Sequence, residues 1–442
     1  MASNLIRSLG LVSAFALIPA ATAALAQVDV DTYRELDQFM SVFERVRSEY
    51  VETVDDKTLL RGAIDGMLAS LDPHSSYLDA RGFKQMMTTT EGEYGGLGLS
   101  VTMDDGAVKV IAATEDTPAH RAGIKAGDYL THLDGKLIYG GTLDEAVDQM
   151  KGPPGTTIKV TVVRPGRDKP FDVSITRAVI NLKSVKWQVK DRVGIIDVNN
   201  FDRNVTEATL AAMTAIDKSL GGKPLGYILD LRSNPGGLLD QAIEVSDAFL
   251  NQGEIVSQRG RNKDDIERFY AKPGDMAHGL PIIVLVDAGS ASAAEIVAGA
   301  LQEHHRAIVM GQRTFGKGSV QTLLPLSRET ALRLTTARYY TPSGKSVQEG
   351  GITPDLLVPQ LSDPDVADRK VVRESDLRRH LINELKVDDK IIQNDAKPDP
   401  RFTATPEQLK KQGVEDFQLH YALQTIARLG RTAAAGSTPR SR

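Results

Sequence analysis

Two stretches near the N-terminus place apolar residues at helical spacing, one over Tyr33–Tyr50 and one over Leu59–Leu71. Apolar side chains that recur every three or four positions form one face of an amphipathic helix, so we predict two helices here. Asp72-Pro73-His74 ends the second helix, because proline breaks the helical pattern. Two short helices cannot bury two apolar faces alone. We expect residues 27–90 to form a helical region that packs on the rest of the chain or on a second copy of it.

Short, turn-bounded strands replace the helical pattern between about Gly96 and Arg177. Clusters of aspartate, glycine and proline separate the strands, and Thr142 is suited to cap the helix predicted among them, Thr142–Lys151. This pattern predicts a small β-domain over residues 91–180. Its predicted strands are Leu97–Thr102, Val108–Ile111, Tyr129–Leu133, Ile158–Arg164 and Phe171–Thr176.

From Ser184 onwards strands alternate with helices. Two of the strands, Leu225–Leu231 and Pro281–Val286, are almost continuously apolar, which is typical of a sheet buried on both faces. We therefore predict an α/β domain over residues 181–360, with its loops gathered at the carboxyl ends of the strands, where sites tend to lie. The other predicted elements are the strands Val193–Val198, Ala307–Met310, Val320–Leu326 and Ala331–Tyr340 and the helices Glu207–Leu220, Leu238–Leu250 and Ala291–Gln302.

The two ends of the chain have patterns of their own. Residues 361–430 predict a C-terminal helical region with helices over Glu374–Leu385 and Pro406–Leu429, and residues 431–442 predict a disordered tail. At the N-terminus, Arg7 precedes the apolar run Leu9–Ile18 and the small-residue site Ala24-Leu25-Ala26. This order predicts a signal peptide over residues 1–26, cleaved near Ala26-Gln27, and a periplasmic or otherwise exported protein.

Composition narrows the classes of chemistry. The 442 residues include no cysteine, which excludes disulfides, thiolate metal sites, a cysteine nucleophile and lipoprotein attachment. A net charge of −5 does not favour nucleic acid as a partner. The mature chain has no apolar run of transmembrane length, so we expect no transmembrane segment. We expect no metal and no cofactor.

Three motifs in the β-domain resemble those of a PDZ domain. They are Gly96-Leu97-Gly98-Leu99, Thr117-Pro118-Ala119-His120-Arg121-Ala122-Gly123-Ile124 and Gly127-Asp128-Tyr129-Leu130. Glycines let successive backbone N–H groups converge on a carboxylate, and the strand that follows offers its edge to an extended peptide. The resemblance implies that the domain binds exposed C-terminal tails of protein substrates, with Gly96, Leu97, Gly98 and Leu99 as the peptide contacts.

Candidate chemistry is concentrated between Asp287 and Gln321 and has two interpretations. The first is a phosphate-binding loop, because residues 311–317 have the G-x-x-x-x-G-K spacing. However, Gly318 takes the place of the serine or threonine that would bind magnesium, and the residues after it alternate like a strand where such a loop needs a helix. An exported protein also meets little ATP. A P-loop nucleotide-binding protein is therefore only a remote alternative.

The second interpretation makes Ser292 a nucleophile and Lys317 its base, since a serine hydroxyl needs a base in order to attack a carbonyl group. None of the eight histidines lies in a recognisable signature, and the chain contains no G-x-S-x-G sequence. Lys317 lies between two glycines, with no acidic residue from Gly311 to Ser327, so no local ion pair engages it. Burial of such a lysine would lower its pKa and suit it to act as a base.

Several motifs together resemble the C-terminal processing peptidases, also called tail-specific proteases. Besides the PDZ motifs they are Leu71-Asp72-Pro73-His74-Ser75-Ser76-Tyr77, Asp230-Leu231-Arg232-Ser233-Asn234-Pro235-Gly236-Gly237, Gly289-Ser290-Ala291-Ser292-Ala293-Ala294-Glu295-Ile296, Thr314-Phe315-Gly316-Lys317-Gly318-Ser319-Val320-Gln321 and Tyr340-Thr341-Pro342-Ser343-Gly344. The resemblance extends from about Tyr33 to beyond Asp355. It departs from the family pattern at Ala294, where many members carry another serine and to which we assign no role.

The resemblance implies a multi-domain α+β protein: a ClpP/crotonase-like α/β protease core with an inserted PDZ β-domain and helical segments at both ends. Ser292 would attack the peptide carbonyl group, Lys317 would be the general base and Gln321 would orient the lysine. The N–H groups of Gly236 and Ala293 would form the oxyanion hole. Glu295 is left outside the catalytic set, because a carboxylate so close to a helix start serves the helix dipole or a buried hydrogen bond.

Together these features predict an exported serine endopeptidase that needs no cofactor and binds the C-terminal tails of its substrates. The resemblance also implies a homodimer or higher oligomer and a helical-repeat adaptor protein as a partner. The alternative is a PDZ scaffold with an inert protease domain. Intact Ser292, Lys317, Gln321 and the Gly-Gly loop argue against it, since inert relatives usually lose such residues.

Overall fold

The computed structural model describes residues 30–262, 264–364, 371–385 and 401–436. The predicted signal peptide, residues 1–26, lies outside the described residues, as does the end of the predicted disordered tail, residues 437–442. The chain divides into two compact units, one up to Gly66 and one from Met67 onwards. Among the helices of the described ranges, none has the length and apolar character needed to span a bilayer.

The first unit contains α1 (Val30–Glu49) and most of α2 (Asp56–Ala69), which confirms both helices predicted there. Arg47 of α1 forms an ion pair with Asp56 at the start of α2. The large apolar side chains of α1 are exposed rather than packed in a core of this unit: Tyr33, Leu36, Phe39, Met40, Val42 and Val46.

The second unit starts with β1 (Ser76–Leu78), α3 (Ala80–Glu91) and β2 (Glu93–Gly96). Asp79 caps α3 by accepting a hydrogen bond from the N–H group of Gly82 at 2.9 Å, and Gly92 ends the helix with φ 72°. The periodicity did not predict α3, because its few apolar side chains are only half-buried and three threonines follow them.

The β-domain consists of β3 (Leu99–Asp104), β4 (Ala107–Ala113), α4 (Pro118–Arg121), β5 (Tyr129–Leu133), β6 (Lys136–Leu137), α5 (Leu143–Met150), β7 (Thr157–Val163) and β8 (Phe171–Thr176). The sheet order is β3-β4-β5-β7-β8, with β6 paired to β5, so β3 lies at an edge. Thr142 caps α5 as predicted, in a reciprocal capping box with Glu145.

The α/β domain follows β9 (Ala178–Asn181), which pairs with β2. Its elements are β10 (Val185–Lys190), β11 (Val193–Val198), α6 (Val205–Ser219), β12 (Gly226–Asp230), α7 (Leu239–Asp247), β13 (Glu254–Arg259), β14 (Ile266–Tyr270), β15 (Ile282–Val286), α8 (Ala293–Glu303), β16 (Ile308–Gly311), β17 (Ser319–Pro325), β18 (Ala331–Tyr340) and β19 (Leu356–Leu357).

Two sheets build this domain. The first has the order β10-β11-β12-β15-β16-β19, with β11 to β19 parallel and β10 antiparallel at the edge. Every residue of β15 is buried, as the continuous apolar run predicted. The second sheet has the order β1-β18-β13-β14, with β17 paired to β18. The structure confirms the predicted α/β core with an inserted β-domain.

Because β17 starts at Ser319, the residues after Lys317 form a strand and not a helix. A P-loop needs a helix at this position so that its N-terminal N–H groups face the phosphates. The phosphate-loop alternative is therefore wrong.

The C-terminal region differs from its prediction. Only a 3₁₀ turn, Glu374–Asp376, forms where a helix was predicted over Glu374–Leu385, because side-chain contacts hold the segment and Arg379 has φ 63°. The helix predicted over Pro406–Leu429 is broken at Gly413, with φ 71°, into α9 (Pro406–Lys411) and α10 (Phe417–Gly436). An alanine-rich sequence extends α10 to Gly436, so the helix includes residues 431–436 of the predicted tail.

Candidate active site

One cleft of about 710 Å³ brings together residues that lie far apart in the sequence. Ser292 and Ala293 line it from the start of α8, Lys317 and Gln321 from the start of β17, and Gly236 from the loop after β12. All five were predicted as catalytic or oxyanion residues. Apolar side chains form most of the remaining wall: Met86, Phe201, Leu239, Ile243, Phe269, Ile296, Val320 and Leu323.

The backbone of Ser292 has an unusual conformation, with φ 54° and ψ −116°. Residues other than glycine rarely adopt a positive φ, and such strained conformations concentrate at functional sites. Ser292 lies directly before α8 and shortly after β15, so it occupies a turn from a strand into a helix. This is the context that exposes a nucleophilic serine. The sequence did not reveal it, because the G-x-S-x-G signature of such turns is missing.

Glu295 joins the backbone of the nucleophile to that of the base. Its carboxylate is fully buried, and Oε2 accepts hydrogen bonds from the N–H groups of Ser292 at 2.8 Å and Lys317 at 2.9 Å. Oε1 accepts from the N–H group of Gly316 at 2.7 Å and from the Thr314 hydroxyl at 2.5 Å. Burial raises the pKa of Glu295, and these hydrogen bonds lower it. Burial has the larger effect, so the pKa is raised to about 7. The predicted buried hydrogen-bonding role is observed, and Glu295 also lies in the first turn of α8, where a carboxylate favours the helix dipole.

Replacing Glu295 by glutamine is expected to lower the free energy of unfolding by about 2–4 kcal/mol, because an amide NH₂ group would face N–H donors. Urea unfolding followed by circular dichroism measures the change. Glu207→Gln is the matched control, since Glu207 also lies in the first turn of a helix but is exposed. We expect that control to stay within about 0.5 kcal/mol of the parent. Equal losses in the two variants would contradict a special role for Glu295.

Lys317 is partly buried in the wall of the cleft, and within the described ranges its Nζ has neither an ion pair nor a hydrogen bond. Burial lowers the pKa of Lys317 and the positive charge of Arg333 lowers it further, whereas Glu374, Glu295 and Asp72 raise it. The lowering effects prevail, so the amine is neutral at a lower pH than that of a solvated lysine. The local sequence is free of acids as predicted, but the tertiary structure brings carboxylates from elsewhere.

Gln321 lies in the same cleft, but its four-residue separation from Lys317 spans a loop and a strand, not a helical turn. A β-bulge between Val320 and Gln321 redirects the strand. Nε2 of Gln321 donates to Oγ of Ser319 at 3.0 Å and to Oγ1 of Thr335 at 3.2 Å. Its amide is therefore held in place. No hydrogen bond joins it to Lys317 in the described part of the chain, and the orienting role stays a prediction.

The predicted oxyanion donors differ in availability. The N–H group of Gly236 donates to Oδ1 of Asn234 at 2.8 Å. The N–H groups of Ala293 and Gly237 have no acceptor among the described residues. Gly236 is nevertheless required for close approach, because a Cβ atom there would lie 2.7 Å from Cβ of Ser292 and 2.9 Å from the nitrogen of Ala293.

Tyr339 was not found from the sequence. Its side chain is buried, lines the cleft, and donates a hydrogen bond from its hydroxyl to the carbonyl oxygen of Lys317. Burial raises the pKa of Tyr339, so the hydroxyl keeps its proton. The only available signal was that Tyr339 directly precedes the Tyr340-Thr341-Pro342 motif.

The predicted peptide contacts of the β-domain separate into two kinds. The side chain of Leu97 is 2% exposed and belongs to the domain core, so the predicted contact of Leu97 with a peptide would have to be made by its backbone. Gly96 lies in β2, paired with Ala178. The N–H groups of Leu97 and Gly98 have no acceptor in the part of the chain that is described. Leu99 begins β3, the edge strand.

Comparisons with known proteins match three parts of the chain. Residues 192–358 match the family model of peptidase family S41, residues 18–82 the N-terminal domain of the activating protease CtpB, and residues 95–175 a PDZ domain. A carboxy-terminal-processing protease of Bartonella bacilliformis is 52% identical over 367 residues, covering 83% of this chain and 85% of that protein. The carboxy-terminal processing protease CtpB of Bacillus subtilis is 33% identical over 348 residues, covering 77% of this chain and 71% of that protein. Among solved structures, the photosystem II D1 C-terminal processing protease has 26% identity and a TM-score of 0.43, covering 78% of this chain and 99% of that chain.

Proposed function

Because the chain belongs to the carboxy-terminal-processing proteases of peptidase family S41, which are serine proteases, we propose that it cleaves exported proteins with a dyad of Ser292 and Lys317. The observation that carries this proposal is the strained turn at Ser292, which faces the same cleft as the unpaired amine of Lys317. A base without a competing ion pair is what a serine nucleophile needs.

In the proposed reaction, the neutral amine of Lys317 takes the proton of the Ser292 hydroxyl as Oγ attacks the peptide carbonyl carbon. The resulting ammonium group then donates that proton to the leaving nitrogen, and an acyl-enzyme remains on Ser292. A water molecule attacks the acyl group with Lys317 again as the base. The carboxylate of Glu295 holds the backbone of Ser292 close to that of Lys317, and Gln321 orients the lysine.

We propose that the N–H groups of Ala293 and Gly237 form the oxyanion hole. Gly237 then takes the place of Gly236, which the sequence predicts. The N–H group of Gly236 would first have to give up its hydrogen bond to Asn234. The next N–H group along the chain belongs to Gly237, which is free to donate, and both glycines line the cleft beside Ser292. Preorganised donors stabilise the transition state without reorganisation.

The PDZ domain would select the substrate. An extended C-terminal tail would add to the edge strand β3, and its carboxylate would accept from the N–H groups of Leu97 and Gly98. The apolar wall of the cleft suits unfolded, apolar segments. Export follows from the predicted signal peptide. The exposed apolar face of α1 suits contact with a second copy of the chain, while a helical-repeat adaptor rests on family resemblance alone.

A paired substrate tests this proposal. One unstructured peptide with an apolar C-terminus is prepared with a free carboxylate and with a C-terminal amide. We expect the purified protein to cleave the free acid at least about tenfold faster at low concentration, because a charge-assisted hydrogen bond to backbone N–H groups contributes about 1.5–3 kcal/mol. Mass spectrometry of the products measures both rates.

The outcomes separate the parts of the proposal. Equal cleavage of both peptides would contradict tail recognition by the PDZ domain but leave the protease in place. Binding of the free acid without cleavage of either peptide would support the alternative, an inert PDZ scaffold.

A further inference from the structure

The Leu71–Tyr77 motif has no role in the reaction described so far, yet its polar residues lie behind the cleft. Asp72 accepts hydrogen bonds from the N–H groups of His74 and Ser75 at 2.8 and 2.9 Å. It also accepts from Oγ1 of Thr335 at 3.1 Å, and that same hydroxyl accepts from Nε2 of Gln321. The motif is therefore connected to the proposed orienting residue through a single hydroxyl group.

The side chain of His74 contacts Glu374, a residue 300 positions later in the chain. Nε2 of His74 lies 3.0 and 2.9 Å from the two carboxylate oxygens of Glu374, which is 0% exposed. Nε2 of Gln348 donates to the same carboxylate at 3.0 Å. A carboxylate with no access to water is stable only with such partners.

Glu374 also holds the loop of the base on both sides. Its own N–H group donates to the carbonyl oxygen of Phe315 at 3.2 Å. On the other side, its partner Gln348 accepts from the N–H group of Gly318 at 3.0 Å. Lys317 therefore lies between two backbone groups whose positions depend on Glu374.

The charges around Lys317 come from four elements. Arg333 lies on β18, Glu295 on α8, Asp72 in the loop before β1, and Glu374 in the C-terminal segment. Arg333 opposes a charge on the lysine, and the three carboxylates favour it. Of these carboxylates, Asp72 and Glu374 lie outside residues 192–358, which match the peptidase family, and Glu374 also lies outside the other two matched ranges.

We infer that Glu374, clamped by His74 and Gln348, is a positioning residue for Lys317: it holds the loop that carries the lysine and supplies a negative charge that offsets Arg333. This inference rests on the proposed function, in which Lys317 is the general base. It assigns the Leu71–Tyr77 motif to the support of the base, since His74 holds Glu374 while Asp72 holds Thr335 and, through it, Gln321.

Glu374→Gln tests the inference, because it removes the charge and keeps the size of the side chain. The pH profile of kcat/KM rises as Lys317 loses its proton. Since Glu374 stabilises the protonated lysine, its removal should move the midpoint of this rise to lower pH, on the order of one pH unit. Glu384→Gln is the matched control, a carboxylate in the same segment that pairs with Arg338 instead, and its midpoint should stay at the parent value. A purely structural role for Glu374 would lower the rate without moving the midpoint.

If the Glu374→Gln variant cleaves peptide too slowly to assay, the pKa of Lys317 can be measured directly by titration. Isotope-labelled dimethyl groups on the lysines report their protonation by NMR, and Lys317→Arg assigns the signal. The comparison is made in the inactive Ser292→Ala background, with and without Glu374→Gln. A Lys317 signal that titrates at the same pH in both proteins would overturn the inference. Full activity of Lys317→Ala would instead overturn the proposed function on which it rests.

Discussion

Ser292→Ala is expected to lower kcat/KM for a tail-bearing peptide by about 10⁴-fold or more, since removal of a catalytic nucleophile leaves only binding and oxyanion stabilisation. The backbone around residue 292 should be unchanged, because alanine meets the same strain at φ 54° as serine does. Peptide hydrolysis measures the loss. Fluorescence anisotropy with a labelled tail should give the parent dissociation constant.

Ser233→Ala is the matched control for this experiment. Ser233 is also a non-glycine residue with positive φ, 56°, and follows a neighbouring parallel strand. Its hydroxyl contacts Asp287 at 3.2 Å and lies outside the cleft, so we expect activity within about twofold of the parent. If Ser292→Ala cleaves the peptide substantially while Ser233→Ala has parent activity, Ser292 is not the nucleophile.

Lys317→Met is expected to lower kcat/KM by about 10³-fold or more, because the variant keeps an apolar stem but has no base for the serine proton. The parent enzyme should gain activity as pH rises, with a midpoint below the ordinary lysine value of 10.5, since burial and Arg333 lower the pKa of Lys317. Stopped assays across pH measure both effects. A flat parent profile from acid to alkaline pH would contradict a lysine base.

The same substitution should stabilise the fold. Below the lowered pKa of Lys317 a buried ammonium group is unfavourable, and the unfolded chain binds the proton more strongly than the folded chain does. The contribution of Lys317 to stability is therefore lowest in acid and recovers as pH rises through the folded and then the unfolded pKa. Lys317→Met has no such penalty, so its unfolding temperature should exceed that of the parent at neutral pH. The difference should shrink in alkaline solution, and a constant difference would point to packing instead of charge.

Much of the fold follows from local pattern. The continuous apolar run over Pro281–Val286 predicts a buried strand, and β15 is buried at every position. Thr142 predicts a helix start, and it caps α5. These features depend on residues adjacent in the chain, whose alternation and capping chemistry act over one or two turns. Local pattern also argued correctly against a phosphate-binding loop, because Gly318 replaces the serine or threonine and a strand follows it.

Local pattern was misleading where distant contacts compete with it. The segment over Glu374–Leu385 has a helical composition, but the buried carboxylate of Glu374 and the positive φ of Arg379 replace the helix after one turn. The local sequence also does not show that the side chain of Leu97 packs in the core of the β-domain. Burial of a side chain depends on which elements pack together, and no neighbouring residue encodes that information.

The sequence by itself determined which chemistry is available: a serine before a helix, a lysine without local acids, and glycines that permit close backbone approach. The tertiary structure alone decided how these groups work. It placed the carboxylate of Glu295 between the two backbones, committed the N–H group of Gly236 to Asn234, and brought His74 and Glu374 together behind Lys317. The physical reason is that nucleophilicity and basicity depend on desolvation and on nearby charges. These arise only when distant parts of the chain exclude water from a common site.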